Sequence, residues 1–292
     1  MTFSIVACDL SEPAWGVAVA SKFPAVGAVV PWAQAGAGAI ATQSYANTSF
    51  GPRGLALLAQ GLTAQEVLER LLAEDEQREL RQVGIVDAQG HAVTFTGKEC
   101  FVWAGGRAAS GYAIQGNILT SPEVVEAMER AFLETHGELP QRLYAAMLAG
   151  DRAGGDRRGR QSAAIYVVKP NGGYGGFLDR WIDYRVDDDP DPVPRLGQLL
   201  ELHALYFGRS NPADRLRLDG EPLIALQKLM QAQKLYQGPL HGQLDEATAF
   251  ALRTFLGSEN FEERSNVEEG WIDRPVFEYL LRRFSKSISM VP

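Results

Sequence analysis

Eight residues decide how the rest of this chain can be arranged. Asp187-Asp188-Asp189-Pro190-Asp191-Pro192-Val193-Pro194 interleaves three prolines with four aspartates. Proline fixes φ and brings no backbone N–H, so the run can be neither helix interior nor central strand and reads as a linker. It divides a strand-rich part, 1–193, from a helical remainder, expected as a linker helix over 194–212 and a domain over 213–292. A length of 292 residues has room for one sizeable domain and a smaller one.

The first part begins with a short apolar run, Thr2-Phe3-Ser4-Ile5-Val6-Ala7-Cys8-Asp9, which reads as a strand starting at the first residues of the sequence. Ser11-Glu12-Pro13 turns it into a second strand, 15–21, and the short connection predicts an antiparallel pair. Further strands are expected over 25–30, 38–43, 82–87, 91–96, 112–117, 163–168 and 181–186. Helices are expected from Pro52, from the capping box Thr63-Ala64-Gln65-Glu66 to Leu72, over 121–132 and over 139–148. Strands followed by helix pairs predict an α+β architecture with helices on the outer face of a sheet. Beyond the linker, Leu196–Phe207 reads as a helix. Three more begin at Pro222, Asp245 and Asp273, each with a leucine- or phenylalanine-rich inner stripe, and together they predict a small all-α bundle.

Charge narrows the partners. The net charge is −8, with 16 basic and 23 acidic residues before Pro194 and 12 and 13 from there on. Neither part offers the basic face that phosphate binding needs, so nucleic acid is not an expected partner. No run is long and apolar enough to span a bilayer, and no basic-then-apolar signal precedes the first strand, so a cytoplasmic location without membrane contact is expected. Cys8 and Cys100 suit that compartment as small buried hydrophobes. The four histidines, His91, His136, His203 and His241, are scattered, so neither a histidine triad nor a metal site is expected, and no cofactor is implied.

The candidate chemistry begins at Thr2. Removal of Met1 exposes a threonine that carries both a hydroxyl and a free α-amine, and the amine titrates near neutrality, at roughly 7.7–8.0. Such a pair can activate the hydroxyl as a nucleophile. The plain alternative is that Thr2 is the second residue of an ordinary edge strand. Lys22, at the end of the second strand, could stand beside Thr2 and keep the amine's pKa low; otherwise it is a surface lysine. The polar run Ser44-Tyr45-Ala46-Asn47-Thr48-Ser49 is either a solvated loop or a pocket rim, with Ser44, Tyr45 and Asn47 offered to substrate. Gly154-Gly155-Asp156-Arg157-Arg158-Gly159-Arg160-Gln161-Ser162 is either a basic turn or a clamp, since guanidinium forks hold carboxylates.

Several stretches, in order, resemble the DUF1028 family: Thr2–Ala7, Gly16–Phe23, Val26–Pro31, Gly51-Pro52-Arg53-Gly54, Gln115-Gly116-Asn117 and Gly155–Ser162. The resemblance runs from Thr2 to about Val193. It implies a relative of the N-terminal nucleophile hydrolases, a four-layer αββα sandwich of two antiparallel sheets, and it raises Thr2 to leading candidate. The expected catalytic set is Thr2 with Lys22, Asp156 and Ser162. The expected substrate-binding set is Ser44, Tyr45, Asn47, Arg158, Gln115 and Asn117. The substrate implied is a small amide bearing a carboxylate. The tail, with Leu223–Lys228 and Tyr236–Thr248 around a Gly-Pro-Leu-x-Gly turn, resembles a peptidoglycan-binding domain. A wall module in a cytoplasmic chain is a contradiction, so the tail is read as a helical interaction domain, with a peptidoglycan fragment as the lesser reading of its ligand. A homodimer is compatible with the stacked sheets and acidic surface. Three rivals stand beside the hydrolase: a non-catalytic scaffold that binds a metabolite, a cell-envelope module that trims peptide stems, and an enzyme using Ser44 or Tyr45 in place of Thr2.

Overall fold

A computed structural model describes residues 2–285, and the chain divides into two compact units, Met1–Leu199 and Leu200–Pro292. Met1, whose removal the nucleophile reading requires, lies outside the described residues.

In the first unit β1 (Thr2–Asp9) and β2 (Ala14–Ser21) form the expected antiparallel hairpin. They are the centre of a six-stranded sheet, and β3 (Pro31–Gln34) and β4 (Gly38–Ser44) open a second sheet of four strands. Two helices follow, α1 (Phe50–Leu58) and α2 (Ala64–Ala73), the latter started by the Thr63/Glu66 capping box. The chain returns through β5 (Arg81–Asp87) and β6 (Ala92–Thr96) to complete the order β3-β4-β5-β6. Strands β7 (Gly105–Ala109) and β8 (Tyr112–Asn117), helices α3 (Glu123–Glu134) and α4 (Leu139–Arg152), and strands β9 (Ser162–Val168) and β10 (Arg180–Val186) complete the unit. The six-stranded order is β10-β9-β2-β1-β8-β7, and every pairing in both sheets is antiparallel.

The two strand faces have different jobs. Val6 and Cys8 of β1 and Val17 and Val19 of β2 meet Ala39, Ala41 and Val86 of the facing sheet in one apolar cluster. Phe3, of the opposite parity, reaches the α4 layer beside Gly150. Helices α3 and α4 pack on the six-stranded sheet, while α1 and α2 pack on the four-stranded one through Leu55, Leu58, Val67 and Leu71 against Ile40 and Ile85. The layers thus run helices, sheet, sheet, helices. Burial on both faces explains why β1 and β2 read as continuous apolar runs with little alternation.

Three expectations change in the first unit and the proline run. The strand expected over 25–30 is instead a turn of 3-10 helix at Val26–Ala28, and the strand comes later, at β3. Its backbone bonds leave the sheet: Ala25 N–H donates to the Asp187 carbonyl at 2.9 Å and Val26 N–H to the Ser162 hydroxyl at 3.1 Å. Strand β7 was not expected, because Gly-Gly-Arg-Ala-Ala is an edge with little side chain to bury. The proline run does not exclude helix altogether: α5 (Pro192–Phe207) takes Pro192 and Pro194 into its first turn, where a missing N–H costs nothing. The division between the units falls within this helix.

The second unit contains α6 (Gly220–Ala232), α7 (Glu246–Ser258) and α8 (Arg274–Arg283) around Leu223, Leu226, Leu252, Phe255, Val276 and Leu280. It is helical but not all helix. Short strands β11 (Arg215–Arg217), β12 (Ser265–Asn266) and β13 (Trp271–Asp273) form a three-stranded sheet whose strands are too brief to show a period in sequence. Asp245 caps α7 by accepting from Thr248 N–H, whereas Asp273 at the start of α8 gives its carboxylate to Arg264.

Candidate active site

The hairpin register pairs Phe3 with Ala20, and one step further along sets Ser21 opposite Thr2. Their hydroxyls lie 3.1 Å apart, both buried between the sheets. On the other side of β1, Thr2 pairs with Asn117 of β8. At this end the apolar filling between the sheets gives way to amides and hydroxyls. Ser4 donates to Gln43 Oε1 at 2.7 Å and accepts from Gln115 Nε2 at 2.7 Å. Gln43 Nε2 donates to Gln82 Oε1 at 2.8 Å and to the Thr2 carbonyl at 3.3 Å. Asn117 Nδ2 donates to Gln82 Oε1 at 2.9 Å, and Gln82 Nε2 donates to Thr96 Oγ1 at 2.9 Å and to the Gly116 carbonyl at 2.8 Å. Such a layer survives burial only when its members are satisfied, and among the described residues no buried side-chain polar atom lacks a partner. The network fixes the start of β1 from both sheets.

Thr2 opens into a cavity of about 370 Å³ lined also by Phe23, Val26, Val29, Val30, Gln43, Ser44, Tyr45, Ala46, Arg81 and Arg158. Of the expected residues, Thr2, Ser44, Tyr45 and Arg158 therefore share one site. Ser44 ends β4 with φ at 69°, a left-handed conformation uncommon away from glycine, and this turns the chain out of the sheet into the rim. Arg81 builds the same rim from β5. It donates to the Tyr45 carbonyl at 2.6 Å and grips Asp75 through Nε at 2.9 Å. The Arg81 bonds, with those from Asn47 and the Gln77 N–H, outweigh burial and hold the Asp75 carboxyl at about 2, well below its ordinary 3.8.

The remaining expected residues lie elsewhere. Lys22 does not stand beside Thr2: its ammonium reaches the Arg160 carbonyl at 3.3 Å on the surface, because Ser21 is the residue that the register faces to Thr2. Asp156 and Ser162 do not line the Thr2 cavity. They line a neighbouring one of about 420 Å³, together with Ser21, Phe3, Asp151 and Arg160. Asp156 accepts from the Lys22 backbone N–H at 2.8 Å and from Arg158 N–H at 2.9 Å and Nη2 at 3.1 Å, which ties the loop after β2 to a cavity-lining arginine. Ser162 donates to the Phe23 carbonyl and accepts from Val26 N–H. Both hold the segment that walls the Thr2 cavity. Asn47 is absorbed by its own loop, accepting from Ser49 and donating to Asp75 at 3.0 Å. Gln115 and Asn117 belong to the buried network.

Ser21, Gln43, Arg81 and the Phe23–Val30 wall were not singled out from sequence. Ser21 was within reach by counting the hairpin register from its turn. Gln43 and Arg81 carry no local signal, because their role depends on the second sheet facing the first. Among the described residues no group of three or more His, Cys, Asp or Glu side chains is arranged to hold a metal ion. No described helix is long and apolar enough to cross a membrane.

Comparisons with known proteins agree with this layout. A family model described as "Family of unknown function (DUF1028)" matches residues 2–196, and one described as "Putative peptidoglycan binding domain" matches residues 206–280. The crystal structure of protein SPO2555 from Silicibacter pomeroyi, itself assigned to the DUF1028 model, is similar at 30% identity and a TM-score of 0.63. The match covers 70% of this chain and 89% of that one. No curated protein matches.

Proposed function

The chain belongs to the DUF1028 family through residues 2–196, and we propose that it is an amidohydrolase whose nucleophile is the Thr2 hydroxyl, freed to work with its own α-amine once Met1 is removed. The observation that carries this reading is a buried threonine at the start of a central strand, open to a cavity of small-molecule size. A threonine that served only as strand filler would need no cavity.

The α-amine takes the Thr2 hydroxyl proton as Oγ1 attacks the carbonyl carbon of the substrate amide. The tetrahedral adduct collapses, the C–N bond breaks, and the same ammonium returns the proton to the leaving nitrogen. A threonine ester remains. Water, deprotonated by the amine, attacks the ester carbonyl, releasing the carboxylic acid and restoring the hydroxyl. Ser21, 3.1 Å from Oγ1, orients the hydroxyl. Arg158, its fork steadied by Asp156, faces a substrate carboxylate at the cavity, which suits a small carboxylate-bearing amide.

The test has two arms. The intact mass of the protein purified from its own cells should lack the initiating methionine, and an acylating electrophile should modify Thr2. Retained Met1, or modification of Ser44 or Tyr45 in its place, overturns the assignment. A Thr2→Ala variant with undiminished biological effect would leave a metabolite-binding scaffold.

A second reading concerns the tail alone, and the match over 206–280 favours it. There the second unit takes a peptidoglycan fragment, and the full chain should sediment with purified murein. A chain that stays in the supernatant removes this reading and leaves the hydrolase untouched.

A further inference from the structure

The cavity at Thr2 has one apolar wall, and a single segment supplies it. Phe23, Val26, Val29 and Val30 all come from the turn between β2 and β3, and none offers a side-chain hydrogen bond. The polar lining comes from other segments: Gln43, Ser44 and Tyr45 at the end of β4, Arg81 of β5, and Arg158 before β9. A cavity so divided suits a ligand with one aliphatic and one polar end.

The wall is built before any ligand arrives. Val26 and Val30 are buried in the cluster between the sheets. The segment is fixed at Lys22 by Asp156, at Phe23 and Val26 by Ser162, and at Ala25 by the Asp187 carbonyl. Gly27 lies so close to β9 that a Cβ there would come within 2.5 Å of Ala164 Cβ. A wall held this firmly selects by size, because it cannot retreat from a longer chain.

We propose that the acyl half of the substrate is a short aliphatic chain, longer than acetyl and shorter than octanoyl, and that the amine half is a small amino acid, so that the substrate class is N-acyl amino acids. At about 370 Å³ the cavity lies at the small end of ligand pockets, so beyond the carboxylate, α-carbon, nitrogen and carbonyl of an N-acylglycine it favours a short chain over a long one. The aliphatic end lies on the valines and the carboxylate near Arg158, with the scissile carbonyl at Thr2 between them. This inference rests on the hydrolase reading, and its test separates the two.

Four probes suffice: N-acetylglycine, N-isovalerylglycine, N-octanoylglycine and N-methylisovaleramide, which lacks the carboxylate. The isovaleryl conjugate should exceed the acetyl one in kcat/KM by roughly tenfold or more, the scale on which an apolar pocket reads added methylenes. It should also exceed both the octanoyl conjugate and the simple amide. Phe23→Ala, at a half-exposed side chain, should shift the optimum towards octanoyl, and Val29→Phe should lower the ratio of isovaleryl to acetyl kcat/KM. If Val29→Phe fails to fold by circular dichroism, Phe23→Ala decides. Calorimetric titration of Thr2→Ala should reproduce the chain-length preference as affinity, with no turnover required. Turnover that Thr2→Ala abolishes but that is flat across chain lengths overturns the acyl wall and leaves the nucleophile standing. Graded binding to Thr2→Ala with no turnover by the wild type supports the wall and overturns the hydrolase. An optimum at acetyl or octanoyl in the wild type overturns the stated size.

Discussion

Thr2 and Ser21 meet at the open end of one hairpin, and their hydrogen bond is a small feature with a separable effect. Removing a hydroxyl that only stabilises costs about 0.5–1.5 kcal/mol of folding free energy. If Ser21 also orients Oγ1, Ser21→Ala should lower kcat by about tenfold or more with KM little changed, while the melting temperature falls by a few degrees. An unchanged kcat confines Ser21 to packing. Asp156 predicts the opposite split. It holds Arg158 and the Lys22 N–H at once, so Asp156→Asn should raise KM for a carboxylate-bearing substrate more than it lowers kcat. An equal effect on the uncharged amide would show that the loop, not the arginine, had moved. Ser44, Tyr45 and Arg158 are legible because each stands in a run of unusual local composition, and Thr2 because removal of Met1 would give it a free α-amine. Lys22 is expected beside Thr2 from its place at the end of the second strand, but the register faces Ser21 there and sends Lys22 to the surface. Asp156 and Ser162 were found for their chemistry and turn out to serve the wall, a distinction that needs the fold.

At the scale of elements, the rim and the wall respond to different perturbations. The rim depends on Asp75, whose carboxyl is held at about 2 against an ordinary 3.8. A lowered pKa means the folded protein binds fewer protons than the unfolded chain near that range. The stabilisation is therefore complete above about 4 and is lost as pH falls towards 2. About 2 kcal/mol is at stake at neutral pH. Urea midpoints between pH 5 and 2 should fall more steeply for the wild type than for Asp75→Asn, and parallel curves would refute this account. The wall depends on Gly27. Gly27→Ala forces a methyl against Ala164 and should cost about 1–3 kcal/mol by overpacking. The valines of this segment are legible as apolar and buried, and the sequence predicts a strand for them. A strand and a pinned turn bury valines alike, and only the bonds to Asp156, Ser162 and Asp187 distinguish them.

On the scale of the whole chain, the two units have separate cores, and stability at one end need not report on the other. The tail offers a clean lever. Arg264 and Asp273 form a buried pair at 2.7 Å, with Ser210 donating to the other Asp273 oxygen and Arg264 reaching the Ala204 and Gly208 carbonyls. Breaking such a pair strands a buried charge and typically costs about 3–5 kcal/mol, a large share of what a unit of this size possesses. Asp273→Ala in the full chain should therefore lower one calorimetric transition by well over ten degrees and leave a second in place. The electrophile that labels Thr2 supplies the functional half of the experiment. Above the lowered transition, with the tail unfolded, Thr2 should still be labelled at its wild-type rate, because its hydroxyl, its network and its cavity are all built within the first unit. Loss of labelling together with the tail transition would mean that the second unit sustains the site, and a single transition would mean that the two cores unfold as one.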